Sequence, residues 1–197
     1  MIPRELLEKY NQSLPRYTSY PPANYFNNDI DSDGYKQLLL ASNGKEPDNI
    51  SLYVHIPFCH KICFYCGCNS VKYPKINIVD SYVDALIKEI RMVRATLDPS
   101  RKVSQLHYGG GTPNAIPVEQ IEKINNLIFS EFDFIEDPEI AIECHPAHLD
   151  EEYMERLVKN CKFNRFSLGI QDLDLKVLKT ANREPSKLPL DYLTNYL

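Results

Sequence analysis

Four short runs alternate apolar and polar residues at period two, and each is followed by apolar residues at helical spacing. Ser51–Ile56 sets Leu52, Val54 and Ile56 against Tyr53 and His55, the signature of a half-buried strand. Val103–Tyr108, Glu139–Glu143 and Arg165–Gln171 are strands by the same reasoning, and in the last Phe166, Leu168 and Ile170 alternate with Ser167, Gly169 and Gln171. Between them, Asp80–Arg94 places Val83, Leu86, Ile87, Ile90 and Val93 on one helical stripe, with Asp80 or Ser81 as its cap. A second helix opens at Pro117, a favoured first helical position, and carries Ile121, Ile124 and Ile128. A third runs from Asp150 with Tyr153, Met154, Leu157, Val158 and Cys161 on one side, and a weaker one spans 172–180. Strand–helix units in series build a parallel sheet with right-handed crossovers. The expected class is therefore α/β, either an open doubly wound sheet or part of a barrel. Residues 1–50, rich in Pro, Asn and Tyr, read as an arm with one short helix around Tyr35–Ala41.

In either architecture functional groups collect at the carboxyl ends of the strands. Here those ends carry a cysteine cluster, Gly109-Gly110-Gly111-Thr112-Pro113, Glu143 and Gln171. The apolar alternates face the helices, so Tyr53, His55, Glu143, Ser167 and Gln171 share the opposite face. In a barrel that face is the interior, and polar groups near its mouth point to a ligand.

Composition narrows the function. The chain has 22 Lys+Arg against 27 Asp+Glu, a net charge of −5, which argues against nonspecific nucleic-acid binding. No stretch approaches the ~18 consecutive apolar residues of a transmembrane helix. The opening MIPRELLEKY lacks an apolar core and cleavage site, so the expected location is cytoplasmic, away from membranes. Four of the six cysteines, Cys59, Cys63, Cys66 and Cys68, lie within residues 59–68. Disulfide frameworks belong to small secreted chains, so in this setting such a cluster holds a metal or does redox chemistry. Cys144 and Cys161 stand alone and read as small buried hydrophobes.

Cys59-x3-Cys63-x2-Cys66 is the strongest motif. Thiolates are soft ligands suited to iron–sulfur clusters, zinc or copper. Three cysteines on a cubane of four irons leave one iron free for a substrate or cofactor, by the open-site logic of catalytic zinc. The competing reading is a zinc knot of all four cysteines, although the single residue between Cys66 and Cys68 is tight for one tetrahedral ion. The glycine triplet permits close backbone approach to a ligand or simply makes a tight turn, and it matches neither dinucleotide nor P-loop fingerprints. Glu143 and Gln171 can hydrogen-bond a nucleoside or stand as polar strand ends in solvent. Arg183, in TANRE, can grip a carboxylate or be an ordinary surface residue. His55, His60, His107, His145 and His148 form no HxxxH pair, and His60 is notable for lying inside the cysteine loop. Tyr17, Tyr20 and Tyr25 read as packing residues.

HIPFCHKICFYCGCN, HYGGGTP, a strand ending in Glu-x-x-Pro, SLGIQD and NRE follow one another in an order that resembles the radical S-adenosylmethionine (SAM) enzymes. Within that group the chain looks like the oxygen-independent coproporphyrinogen III oxidase (dehydrogenase) family, whose N-terminal arm PRYTSYPPA is similar to and whose Cys-Gly-Cys is shared at 66–68. The resemblance covers about residues 14–184. It implies a partial (β/α) barrel over 51–185, with Cys59, Cys63 and Cys66 on a 4Fe–4S cluster and Cys68 outside the ligand set. It implies two SAM molecules, the first chelating the fourth iron beside Tyr53, Gly110 and Glu143, the second touching Tyr65, Gly111, Thr112, Gln171 and Arg183. The implied reaction converts two propionates of coproporphyrinogen III to vinyls in haem biosynthesis, with a porphyrinogen substrate, an external electron donor and a monomeric enzyme. The haem-chaperone branch of the superfamily is the alternative. Two departures stand out: Tyr65 occupies a position where the family has Phe, and Glu143-Cys144-His145-Pro146 replaces Glu-Val-Asp-Pro. The tail 186–197 leaves the family pattern, and the later barrel strands and C-terminal helical domain are missing. The expectation is a truncated or frameshifted member, or a fragment needing a partner, with an open sheet edge and an apolar flank beyond the fourth strand and no catalysis by these 197 residues alone.

Overall fold

A computed structural model describes residues 3–11, 25–27 and 29–197. The PRYTSYPPA segment, with Tyr17 and Tyr20, lies outside the described residues. The chain divides into two units, residues 1–38 and 39–197. In the first, α1 (Arg4–Tyr10) is solvent-exposed along its length and carries an Arg4–Glu8 pair one turn apart. Tyr25, expected to pack, is exposed. The expected short helix is α2 (Ser32–Ser42), which begins in the first unit and ends in the second.

The second unit holds β1 (Ile50–Ile56), the short β2 (Phe58–Cys59) and β3 (Val71–Lys72), α3 (Ile76–Thr96), β4 (Val103–Gly110), α4 (Val118–Glu131), β5 (Phe134–Cys144), α5 (Glu151–Lys159), β6 (Arg165–Leu168), α6 (Leu175–Thr180) and α7 (Leu190–Tyr196). The order β1-β4-β5-β6 is all parallel, with helical crossovers between the strands. Val54, Ile56, Leu106, Tyr108, Ile140 and Ile142 are buried against Val79 and Val83 of α3, Ile121, Ile124 and Ile128 of α4, and Met154 and Leu157 of α5. In register Tyr53 lies beside His107 and Gly109 beside His55, so the opposite face carries the polar side chains. The period-two assignment of the faces therefore holds. Buried Tyr108 donates to Asn125, whose side-chain amide donates to Cys161 O, so the polar atoms in this core are paired. Cys144 and Cys161 are buried in the same cluster. Burial pushes the Cys161 thiol up to about 12 and raises that of Cys144 further, as expected for inert packing residues.

Element ends differ from the sequence expectation. α3 starts at Ile76, so Asp80 and Ser81 lie inside it: Asp80 accepts from Gln120, and Ser81 donates to Asn77 O. Pro117 keeps an extended ψ of 140° and sits at the N-cap of α4, one residue before the helix. Val158 is exposed, because a helix as short as α5 buries only the stripe through Met154 and Leu157. β6 stops at Leu168 because Gly169–Asp172 form tight turns, and Gln171 adopts a left-handed φ of 69°. β5 begins five residues before Glu139, and α7 occupies the tail with Leu193 buried in the core.

Arg156 of α5 bridges to α4, giving Glu122 a two-pronged grip at 2.9 and 2.7 Å and reaching Glu119 as well. That grip holds the Glu122 carboxyl below its usual range. A carboxyl depressed in the folded state contributes stability above its unfolded value and loses it as pH falls through the folded one. Arg156→Ala is therefore expected to lower the melting temperature at pH 7 and to match wild type more closely near pH ~3, below the ordinary Glu range. A gap that stays constant with pH would assign the effect to packing instead.

Candidate cofactor site

Beyond β1 the chain turns at Pro57 into β2, which pairs in parallel with β3. Val71 N–H donates to Pro57 O and Tyr73 N–H to Cys59 O, each at 2.8 Å, which closes the neck of the loop 60–70 that carries Cys63, Cys66 and Cys68. His55 ties the far side of the loop to the sheet through Nε2 and Asn69 O at 2.8 Å. A carbonyl can only accept, so Nε2 carries the proton and Nδ1 accepts from the Tyr53 hydroxyl at 3.2 Å. Gly110 makes room for this ring: its φ is 116°, and a Cβ there would lie 2.8 Å from His55 Cε1.

Gly111 makes a second close approach. Its N–H donates to Ile56 O, and a Cβ on it would stand 2.5 Å from Pro57 O and 3.0 Å from Cys59 Sγ. The first obstacle is backbone and cannot swing away. Gly111→Ala is expected to cost roughly 1–3 kcal/mol as overpacking. At about 2–4 °C per kcal/mol for a chain this size, thermal unfolding would read it directly. An unchanged melting temperature would show that the Pro57 turn yields freely.

The thiols stand in different settings. Cys59 is buried; burial raises its pKa while Thr112 Oγ1, 3.3 Å away, opposes the shift. Cys63 is half-buried and accepts from Arg183 Nη1 at 3.4 Å. Cys66 is exposed, and a hydrogen bond from the Cys68 backbone lowers its pKa. Cys68 beside it is raised, first by burial and then by Cys66. Among the described residues no three His, Cys, Asp or Glu side chains close on one metal ion. A four-iron cubane asks something else, since each thiolate takes a separate iron. Cys59 at the end of β2 and Cys63 and Cys66 on the loop that follows are three soft donors, and that donor set fits the group.

Two polar sets flank the thiols. On the sheet face, Tyr53 stacks on His107 with centroids 5.9 Å apart, and His107 Nε2 reaches Glu143 Oε1 at 3.2 Å. Gly109 lies between Tyr53 and Glu143, where a Cβ would stand 3.0 Å from the Tyr53 hydroxyl and 3.2 Å from Glu143 Cδ, and Gly110 follows it against the His55 ring. Tyr65 neighbours Cys63 and Arg183, and its pKa is raised, first by burial and then by Cys63. Arg183 Nη2 donates to Gly169 O, while its Nε is buried without a partner, a donor left for a ligand. Gln171 meets this set only at Gly169, where a Cβ would lie 2.7 Å from Arg183 Nη2 and 3.4 Å from Gln171 Nε2. Thr112 is buried at Cys59.

The sequence left His55 and His107 unassigned, although both alternate with apolar residues onto the face of Tyr53. His60 turns away from the thiols: Nε2 donates to Ala115 O, and the ring stacks on Tyr73 at 4.4 Å and meets His148 at 4.6 Å. Burial holds His145 down to about 3 and His148 to about 4, so both rings stay neutral. His145 Nδ1 accepts from Ala147 N–H, which leaves its proton on Nε2. These three rings pack against one another and present no converging lone pairs.

The radical SAM superfamily model matches residues 53–188, and the chain belongs to that superfamily, whose cofactors are a 4Fe–4S cluster and SAM. More particularly, it is similar to the oxygen-independent coproporphyrinogen III oxidase of Synechocystis, 44% identical over 179 residues that cover 91% of this chain and 38% of that protein. The enzyme of the same name from Escherichia coli is 42% identical over 192 residues, covering 97% of this chain and 41% of its own length. A solved structure of the E. coli enzyme HemN, a radical SAM enzyme, matches with a TM-score of 0.82 and 38% identity over 98% of this chain and 42% of that one. The chain thus spans about two-fifths of the length of these relatives. Among the described residues no helix is long and apolar enough to cross a membrane.

Proposed function

We propose that this chain is the cofactor-binding part of an oxygen-independent coproporphyrinogen III oxidase. The observation that carries the proposal is the cysteine loop, closed at its neck and laid on the Gly110–Thr112 turn, with Tyr53 and Glu143 on one side and Arg183 on the other. Cys59, Cys63 and Cys66 hold the cluster, and Cys68 stays outside the ligand set. When bound, a reduced 4Fe–4S cluster held by these three cysteines would supply the electron for reductive cleavage of SAM, and with it the hydrogen-abstracting chemistry that propionate decarboxylation needs.

The chain's own residues bind and orient. Glu143 accepts from the ribose hydroxyls of the first SAM, and His107 Nε2, 3.2 Å away, fixes the carboxylate for that contact. Tyr53 covers the same mouth, and Gly110 lets the backbone approach. Tyr65, Gly111, Thr112, Gln171 and Arg183 receive the second SAM, whose carboxylate suits the unpartnered Arg183 Nε. The substrate is a porphyrinogen, an external reductant charges the cluster, and the working form is a cytoplasmic monomer.

The test is anaerobic incubation of the reconstituted chain with reductant, SAM and coproporphyrinogen III. Reductive cleavage of SAM to methionine and 5′-deoxyadenosine supports the proposal, and a decarboxylated porphyrinogen is not required of a chain that spans two-fifths of its relatives. Haem binding with no SAM cleavage would contradict it and favour the haem-chaperone reading.

A further inference from the structure

Residues 181–184, just after α6, meet the cysteine loop at four consecutive points. Phe64 N–H donates to Ala181 O at 3.1 Å, and Asn182 Nδ2 donates to Ile62 O at 2.9 Å. Arg183 Nη1 donates to Cys63 Sγ at 3.4 Å, and Lys61 pairs with Glu184 at 3.2 Å. The segment is itself fixed: Asn182 takes a left-handed φ of 56°, and Arg183 N–H donates to Leu178 O at 2.8 Å on a buried leucine. The second arm of the Arg183 guanidinium is spent on Gly169 O, so the fork cannot rotate off the sulfur without losing that bond. Elsewhere the tip of the loop is held by little more than Cys66 N–H on Cys63 O and His55 on Asn69 O.

We infer that residues 181–184 form a clasp that positions the Cys63 segment, and that Arg183 acts on the cluster through Cys63 Sγ. The inference rests on Cys63 being a cluster ligand. It gives Arg183 a role distinct from its expected contact with SAM. A donor on a ligating sulfur favours the reduced, more negative cluster and raises its potential, one of the levers proteins use on such centres. The clasp also links the loop to β6 and α6, which places thiol geometry under the control of a segment 120 residues away.

Two variants test this, Arg183→Ala and Asn182→Ala, each read in two ways. In the protein without cluster, amide hydrogen exchange at Phe64 is expected to be about tenfold faster in both, since each loses a contact that holds its partner carbonyl in place. After anaerobic reconstitution, a potentiometric titration followed by electron paramagnetic resonance is expected to place the Arg183→Ala cluster at lower potential than wild type and the Asn182→Ala cluster close to it. Unchanged Phe64 exchange in both variants overturns the clasp. Faster exchange with an unchanged Arg183→Ala potential overturns the action on sulfur. If wild type itself takes up no iron, the cluster reading fails and takes the sulfur role with it, while the exchange data still decide the clasp.

Discussion

Cys59→Ser, Cys63→Ser and Cys66→Ser are each expected to cut iron uptake on anaerobic reconstitution by well over tenfold, while Cys68→Ser keeps it near wild type. Serine oxygen is a hard, weakly acidic donor and a poor substitute for thiolate on iron, and losing a direct ligand costs more than the ~10–100-fold typical of an outer partner. The three positions are held in different ways, so they fail for one shared chemical reason and not for one shared structural one. Cys59 is fixed in β2 beneath Gly111, Cys63 is held by Arg183, and Cys66 is set by the turn onto Cys63 O. Iron and acid-labile sulfide analysis of the reconstituted variants reads the outcome. A zinc knot predicts something different: Cys68→Ser would lose metal as fully as the other three, and the metal would be zinc without sulfide.

Leu193→Ala carries the largest expected loss of stability, about 3 kcal/mol, from the cavity left by a fully buried leucine. For a chain of this size that is about 6–12 °C in melting temperature. Leu193 sits among Leu188, Leu190 and Leu197 against the core, and its segment is joined to the rest by Lys187 N–H on Pro146 O and by Lys187 Nζ on Asp150 at 2.9 Å. Tyr196→Ala, on the exposed side of α7, is the control and is expected to change little. Equal melting temperatures for Leu193→Ala and wild type would mean that α7 does not dock in solution.

That helix also marks a boundary of what sequence can show. Leu190, Leu193 and Leu197 recur at helical spacing after Pro189, yet α7 is so short that the pattern barely exceeds coincidence. The sheet was legible because alternation over Ser51–Ile56 and Arg165–Leu168 is a direct image of its two faces, and the stripes of α4 and α5 image the side that covers it. Element ends were less so. α3 begins at Ile76 without a side-chain cap, and the first residues of β5, FIEDP, break alternation at Pro138. In the site, cysteine spacing and glycines are local signals and announced themselves. His55 and the 181–184 clasp work through side chains on carbonyls and sulfur far away in sequence, contacts that leave no periodicity behind.

In the proposed site Cys59, Cys63 and Cys66 hold a four-iron cluster with one iron open to SAM. Electron paramagnetic resonance of the reduced, reconstituted chain with and without SAM tests it most directly. A 4Fe–4S signal is expected whose g-values shift when SAM is added, with the shift lost in Glu143→Ala if that carboxylate anchors the nucleoside. A cluster signal indifferent to SAM, or reconstitution that yields no cluster at all, would contradict it.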